Sequence, residues 1–147
     1  MTEGGRVLGL DLGDARIGVA ISDEDRRVAV PVGTVHVGQP PGELLAIRQL
    51  VEEHGATLVV LGLPLSMDGS HGARAVQAEA FGEALAAAVA VPIAYQDERL
   101  STVEADRRLR ETGADGRTRR RAVDATAAQV LLQAWLDGRR SAPADHG

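Results

Sequence analysis

The residues best suited to do chemistry in this chain are three dispersed acidic positions. Asp11 ends an apolar run and sits inside Gly9-Leu10-Asp11-Leu12-Gly13. Asp97 and Glu98 follow a second apolar run that ends at Gln96. Asp124 shares a helical row with Ala127, Ala128, Leu131, Leu132 and Trp135, at i+3, i+4, i+7, i+8 and i+11. A carboxylate at the end of a buried strand, or on the buried stripe of a helix, is costly unless something positive or hydrogen-bonding meets it. Each alone has a plain structural explanation: a turn-forming Asp, or an acid near a helix N-terminus. Together, without cysteine or paired histidines, they suit a hard cation such as Mg²⁺ or Mn²⁺. Such an ion serves the hydrolysis of phosphate esters.

Charge distribution adds to this reading. The net charge is −5, but between Arg107 and Arg121 seven arginines stand against Glu111 and Asp115, a local +5. The remainder carries −10. All sixteen basic residues are arginine, whose planar fork matches phosphate. Arg117, Arg119, Arg120 and Arg121 fall at a loop-to-helix junction, where free backbone N–H groups also attract phosphate. Aromatic residues are only 2%, too few for a protein that grips single strands mainly by stacking. The loop from Pro64 to Gly72 lacks Gly-Lys-Ser/Thr, so it is not a nucleotide P-loop; it either cradles a phosphate or merely connects. His71 within it is a candidate base, against the plainer reading of a solvated histidine.

These groups need elements to hold them. Arg6–Leu12, Arg16–Ser22 and Val28–Val37 read as strands in an antiparallel meander, the third an edge because it contains Pro31. Glu43–His54 has helical spacing, with Leu44, Ile47, Leu50 and Val51 on one face and Gly55 as its stop. Thr57–Leu63 is wholly apolar, as in a strand covered on both faces. Ala73–Val89 reads as helix, Pro92–Gln96 as a buried strand, Ser101–Arg110 as a helix opened by a capping box, and Thr118–Asp137 as the last helix. Tyr95 and Trp135 fall in apolar patterns and are expected in the core. The order β-β-β-α-β-α-β-α-α predicts one α/β domain over residues 1–139. Its five-stranded mixed sheet has helices on both faces, and residues 140–147 form a disordered tail. No apolar run at the N-terminus resembles a signal peptide and no stretch is long enough to span a membrane. With no cysteine, a cytoplasmic location is expected.

At this point the chain resembles the YqgF/RuvX family. The resemblance rests on Gly9-Leu10-Asp11-Leu12-Gly13 with Arg16-Ile17-Gly18-Val19-Ala20, Gly62-Leu63-Pro64 with Asp68-Gly69, Asp97-Glu98-Arg99-Leu100-Ser101-Thr102, and Val123-Asp124-Ala125 with Ala127-Ala128. These are RNase H-like proteins described as pre-16S rRNA nucleases and Holliday junction resolvases. The resemblance runs from Val7 to Arg139 and implies an RNase H-like sheet and metal-dependent phosphodiester hydrolysis. It implies that Asp11, Glu98 and Asp124 are the catalytic and metal-binding acids, choosing Glu98 over Asp97. It also implies that Ala127 stands where related junction resolvases carry a fourth acid. Arg16, Arg99, Arg117, Arg119, Arg120 and Arg121 are then the expected nucleic-acid contacts. The expected partner is pre-rRNA, at the 5′ end of pre-16S rRNA, or branched DNA, with the protein a monomer or homodimer. Two other classes remain. One is an ATP-binding module, because Asp11-Leu12-Gly13 also resembles a phosphate loop of the actin and sugar-kinase superfamily. The other is a non-catalytic ribosome-assembly factor on the same fold.

Overall fold

The structure is a computed structural model that describes residues 4–13, 15–38, 42–100 and 117–141. The side chains of residues 100, 117–124 and 140–141 lie outside that description. Five strands form one sheet: β1 (Arg6–Leu12), β2 (Arg16–Ser22), β3 (Ala29–His36), β4 (Ala56–Leu63) and β5 (Ile93–Asp97). Their order is β3-β2-β1-β4-β5. β1 to β3 form the expected meander, with Leu10 opposite Val19 and Gly18 opposite Thr34. β4 runs parallel to β1, and β5 parallel to β4. The carboxyl ends of β1, β4 and β5 therefore point the same way.

Helices α1 (Gly42–His54) and α2 (Ala73–Ala88) cover one face of the sheet; α3 (Arg117–Ser141) covers the other. Strand alternation sorts the residues between them. Leu8, Leu10, Ile17, Val19, Ile21, Val59 and Leu61 pack against Ile47 and Val51 of α1 and Leu85 of α2. Val7, Ala20, Ala29 and Val60 pack against Ala128, Leu132, Trp135 and Leu136 of α3. From Ala127 to Trp135, the helical row read from the sequence is thus the buried one.

The α3 face is built from small residues so that the helix can come close. A Cβ on Gly9 would lie 2.8 Å from Leu132 Cβ, inside van der Waals contact. The helix is also fixed in phase by side-chain amides. The Ala29 N–H donates to Gln133 Oε1 at 2.9 Å, Gln129 Nε2 donates to the Ala29 carbonyl at 3.1 Å, and Gln133 Nε2 donates to the Arg27 carbonyl at 2.9 Å. These bonds satisfy backbone groups where β3 begins and pin the middle of α3 to the sheet.

Some boundaries differ from expectation. β5 runs on to Asp97, so the strand itself carries the first acid and Glu98 opens a 3-10 turn, Glu98–Leu100. α3 begins at Arg117 and continues to Ser141, so residues 140 and 141, expected in a disordered tail, are helical. The Arg139 guanidinium lies 5.1 Å from the centre of the Trp135 ring, a contact one helical turn apart that favours continued helix. Tyr95 is exposed rather than core, because β5 is an edge strand and its ring leans over Gly82 at the flank of α2. Trp135 is buried as expected. The expected helix Ser101–Arg110 lies outside the described residues. Among the described residues, no helix is long and apolar enough to cross a membrane.

The closeness of Gly9 to α3 gives a direct test. Gly9→Ala is expected to overpack the β1–α3 contact and cost about 1–3 kcal/mol of stability. Urea unfolding followed by circular dichroism measures it.

Candidate active site

Three polar side chains are buried among the described residues: Asp11, Ser22 and Glu98. Ser22 is explained by its own bonds. Its hydroxyl accepts from the Val7 N–H at 2.8 Å and donates to the Asp23 carbonyl at 2.9 Å. Asp11 and Glu98, each 2% exposed, are the two buried carboxylates.

Their placement follows from strand alternation. Asp11 pairs with Gly18 and lies two residues beyond Gly9, so it faces α3. Gly62 pairs with Gln96, and Leu63 with Asp97. Glu98, two residues past Gln96, comes to the α3 face, while Asp97 belongs to the other. β1 and β5 are separated only by β4, so their backbones stand roughly 10 Å apart at two strand spacings. The longer Glu98 side chain reaches back over β4 across that gap. Its Oε2 lies 2.5 Å from where a Cβ on Gly62 would stand, with Leu131 Cδ2 at 3.1 Å from the same point. Gly62 is therefore the floor of a cradle that a methyl group would fill. In the sequence Gly62 is singled out only within Gly62-Leu63-Pro64. A glycine inside an apolar strand signals close approach, and that signal was available.

The first end of the site is shaped by a tight turn. The Gly13 N–H donates to the Arg16 carbonyl at 2.9 Å, and a Cβ on Gly13 would lie 2.7 Å from that oxygen. The turn fixes how β1 leaves Asp11 and where Arg16, half-buried at the start of β2, begins. Asp124 lies in α3, three and four residues before the buried Ala127 and Ala128. Ala127 packs with Leu131, so the position expected to lack a fourth acid presents a methyl group in an apolar cluster. Among the described residues no three acidic or histidine side chains converge on one point; the Asp124 side chain lies outside them, as do those of Arg117, Arg119, Arg120 and Arg121.

Asp97 and Arg99 take a different role from Glu98 between them. Arg99 Nη2 donates to Asp97 Oδ2 at 2.7 Å, and Arg99 Nε lies 3.1 Å from both carboxylate oxygens. This contact holds the Asp97 carboxyl below its ordinary range, against the opposing effect of partial burial. Arg99, expected to meet substrate, makes these bonds within the chain while its side chain stays about one-third exposed. His71 lies 3.1 Å from Glu79 Oε2 with both side chains about half exposed, a solvated surface pair.

The donor set fits a hard divalent cation. Asp11 and Glu98 offer buried carboxylate oxygens on one side of the sheet, the ligand type that hard divalent cations take.

A mixed sheet of this order, with its acids at the carboxyl ends of β1 and β5 beneath a C-terminal helix, defines an RNase H-like fold. By its sequence the chain belongs to the RuvX family, "Holliday junction resolvase", whose model matches residues 5–138. A protein of Anaeromyxobacter sp. (strain Fw109-5) named "Putative pre-16S rRNA nuclease" is 51% identical over 136 residues, covering 92% of this chain and 99% of its own. Proteins of the same name from Myxococcus xanthus (strain DK1622) and Chloroflexus aggregans (strain MD-66 / DSM 9485) are 44% and 43% identical, covering 96% and 92% of this chain and 93% and 95% of theirs. Among solved structures, T. thermophilus RuvC in complex with a Holliday junction substrate matches with a TM-score of 0.52 at 15% identity, over 92% of this chain and 96% of that one. That likeness is one of fold.

The cradle predicts a specific coupling. Gly62→Ala is expected to destabilise the protein by about 1–3 kcal/mol in the wild-type background. In a Glu98→Ala background the cost should fall by about 0.5 kcal/mol or more, because the crowded carboxylate is gone. A urea-unfolding double-mutant cycle reads the difference.

Proposed function

We propose that this chain is a divalent-metal-dependent nuclease that hydrolyses phosphodiester bonds, with the 5′ region of pre-16S rRNA as its substrate. The carrying observation is the pair of buried carboxylates, Asp11 and Glu98, on the α3 face at the carboxyl ends of β1 and β5. Asp124 from α3 completes the donor set in this reading. A bound Mg²⁺ or Mn²⁺ would supply positive charge to the phosphoryl oxygens and acidify an attacking water. The protein's part is to fix the acids before substrate arrives. Asp11 is held by the strand and the Gly13 turn. Glu98 is held by its cradle over Gly62. Arg16 and the arginines at the start of α3, Arg117, Arg119, Arg120 and Arg121, hold the phosphate backbone, helped by the N–H groups of that helix terminus. An enzyme with this substrate works where ribosomal subunits are assembled, in the cytoplasm. The relatives' shared name supports the RNA substrate.

The description of the family supports a second reading, cleavage of four-way DNA junctions. Paired cuts on a symmetric junction require two active sites related by a two-fold axis, hence a homodimer. The RNA reading is compatible with a monomer.

Asp11→Asn, Glu98→Gln and Asp124→Asn are each expected to lower cleavage about 100-fold or more, since the ion they hold contributes several kcal/mol to the transition state. Gel assays with Mn²⁺ should offer the wild type a pre-16S rRNA fragment and a mobile junction side by side. Preference for the junction would overturn the RNA assignment. Full activity in Asp11→Asn would overturn metal catalysis and leave a binding role.

A further inference from the structure

Glu98 sits between two residues of opposite charge that grip each other. Strand alternation sends Asp97 to the face opposite Glu98, and the 3-10 turn brings Arg99 back beside Asp97. The Arg99 backbone N–H donates to Asp97 Oδ1 at 2.9 Å. Its guanidinium meets the same carboxylate through Nε and Nη2. The chain is therefore cross-linked on both sides of Glu98 by one carboxylate. A lone 3-10 turn has poor hydrogen-bond geometry and does not by itself fix the direction of its side chains. A bidentate arginine–carboxylate contact does carry such geometric definition.

The same guanidinium reaches a second segment. Arg99 Nη1 donates to the Met67 carbonyl at 3.2 Å. Its tip lies against Gly69, close enough that a Cβ there would touch Nη1 at 3.5 Å. Gly69 has φ +88°, a conformation that favours glycine. The loop is a closed turn of its own: the Ser66 N–H donates to the Ser70 carbonyl at 3.0 Å, the Gly69 N–H to the Ser66 carbonyl at 2.8 Å, and the Ser70 N–H to Asp68 Oδ1 at 2.9 Å. Arg99 thus ties a preformed loop, which leaves the carboxyl end of β4, to the turn that carries Glu98.

We propose that Arg99 and Asp97 form a positioning clasp: they fix the Glu98 carboxylate over Gly62 and hold the Ser66–Ser70 turn against the site. In this role Arg99 does not contact the substrate's phosphates. The proposal rests on the reading of Glu98 as a site residue. Arginine rather than lysine is required, because one planar group must serve a carboxylate and a carbonyl at once.

The test uses the full chain with Mn²⁺ and an end-labelled pre-16S rRNA fragment. The variants are Asp97→Asn, Arg99→Gln, Arg99→Lys and the double Asp97→Asn/Arg99→Gln, each checked for fold by circular dichroism. The clasp predicts that each single change lowers kcat about 10- to 100-fold, the usual range for residues that orient a ligand. KM and the salt dependence of RNA binding should hardly change, Arg99→Lys should not rescue, and the double variant should be no slower than the singles. A phosphate-contacting Arg99 gives the opposite pattern: KM rises, the salt slope falls by about one, and Asp97→Asn leaves kcat intact. That result would overturn the proposal. Amide hydrogen exchange at residues 66–70 supplies a readout independent of activity. It should speed up in Asp97→Asn and Arg99→Gln; unchanged exchange in both would also overturn the clasp. If the wild type cleaves neither RNA nor DNA, the nuclease reading fails while the exchange data still decide the clasp.

Discussion

Burying two carboxylates beneath a helix is the constraint around which this molecule is organised. A charged carboxylate taken out of water costs several kcal/mol unless positive charge or hydrogen bonds replace the lost hydration. Asp11 and Glu98 are both removed from solvent on the same face of the sheet. No comparable pair of acids is buried on the opposite face, among the described residues, where Leu8, Leu10, Val59 and Leu61 meet α1 and α2. The sheet thus has one face covered by α1 and α2 over an apolar core, and another on which two buried acids adjoin the apolar packing against α3.

Close packing makes that second face workable. Gly9 lets α3 approach β1, Gly62 makes room for the Glu98 carboxylate, and Leu131 closes the cradle from the helix side. The glutamines of α3 fasten its middle to the start of β3 and so fix its phase there. A rigid helix carrying Asp124 nearer its N-terminus than these anchors is positioned by contacts far from any chemistry. The Asp97–Arg99 contact does the same on the strand side, where the backbone leaves the sheet and would otherwise be least defined.

Much of this was legible in the sequence, for reasons that particular residues make clear. Period-2 alternation in Arg16–Ser22 and the unbroken apolar run before Leu63 gave the strands, and the Ala127-to-Trp135 row gave the buried stripe of α3. Asp11 stood out because a buried strand ended in an acid. Spacing could not choose between Asp97 and Glu98, because the choice depends on which residue of β5 ends the strand and which face of the sheet it meets. That parity is set by pairing with β4, a contact between distant parts of the chain. The resemblance to the family selects Glu98, and the fold gives the physical difference between the two: Glu98 is buried on the α3 face, whereas Asp97 is partly exposed and bonded to Arg99. An arginine's partners are invisible in sequence, so the phosphate contact expected at Arg99 cannot be weighed there against its bonds to Asp97 and to a carbonyl 32 residues away. Tyr95 was misplaced because an apolar pattern does not reveal that its strand is an edge.

The central claim is that Asp11, Glu98 and Asp124 together hold divalent metal. Crystals of the wild-type protein equilibrated with Mn²⁺, measured at the manganese absorption edge, test it most directly. The account predicts an anomalous peak beneath α3, over Gly62, bonded to carboxylate oxygens of Asp11 and Glu98 and within reach of Asp124. Saturating Mn²⁺ that leaves this space without a peak, in a protein that still cleaves RNA, would contradict it.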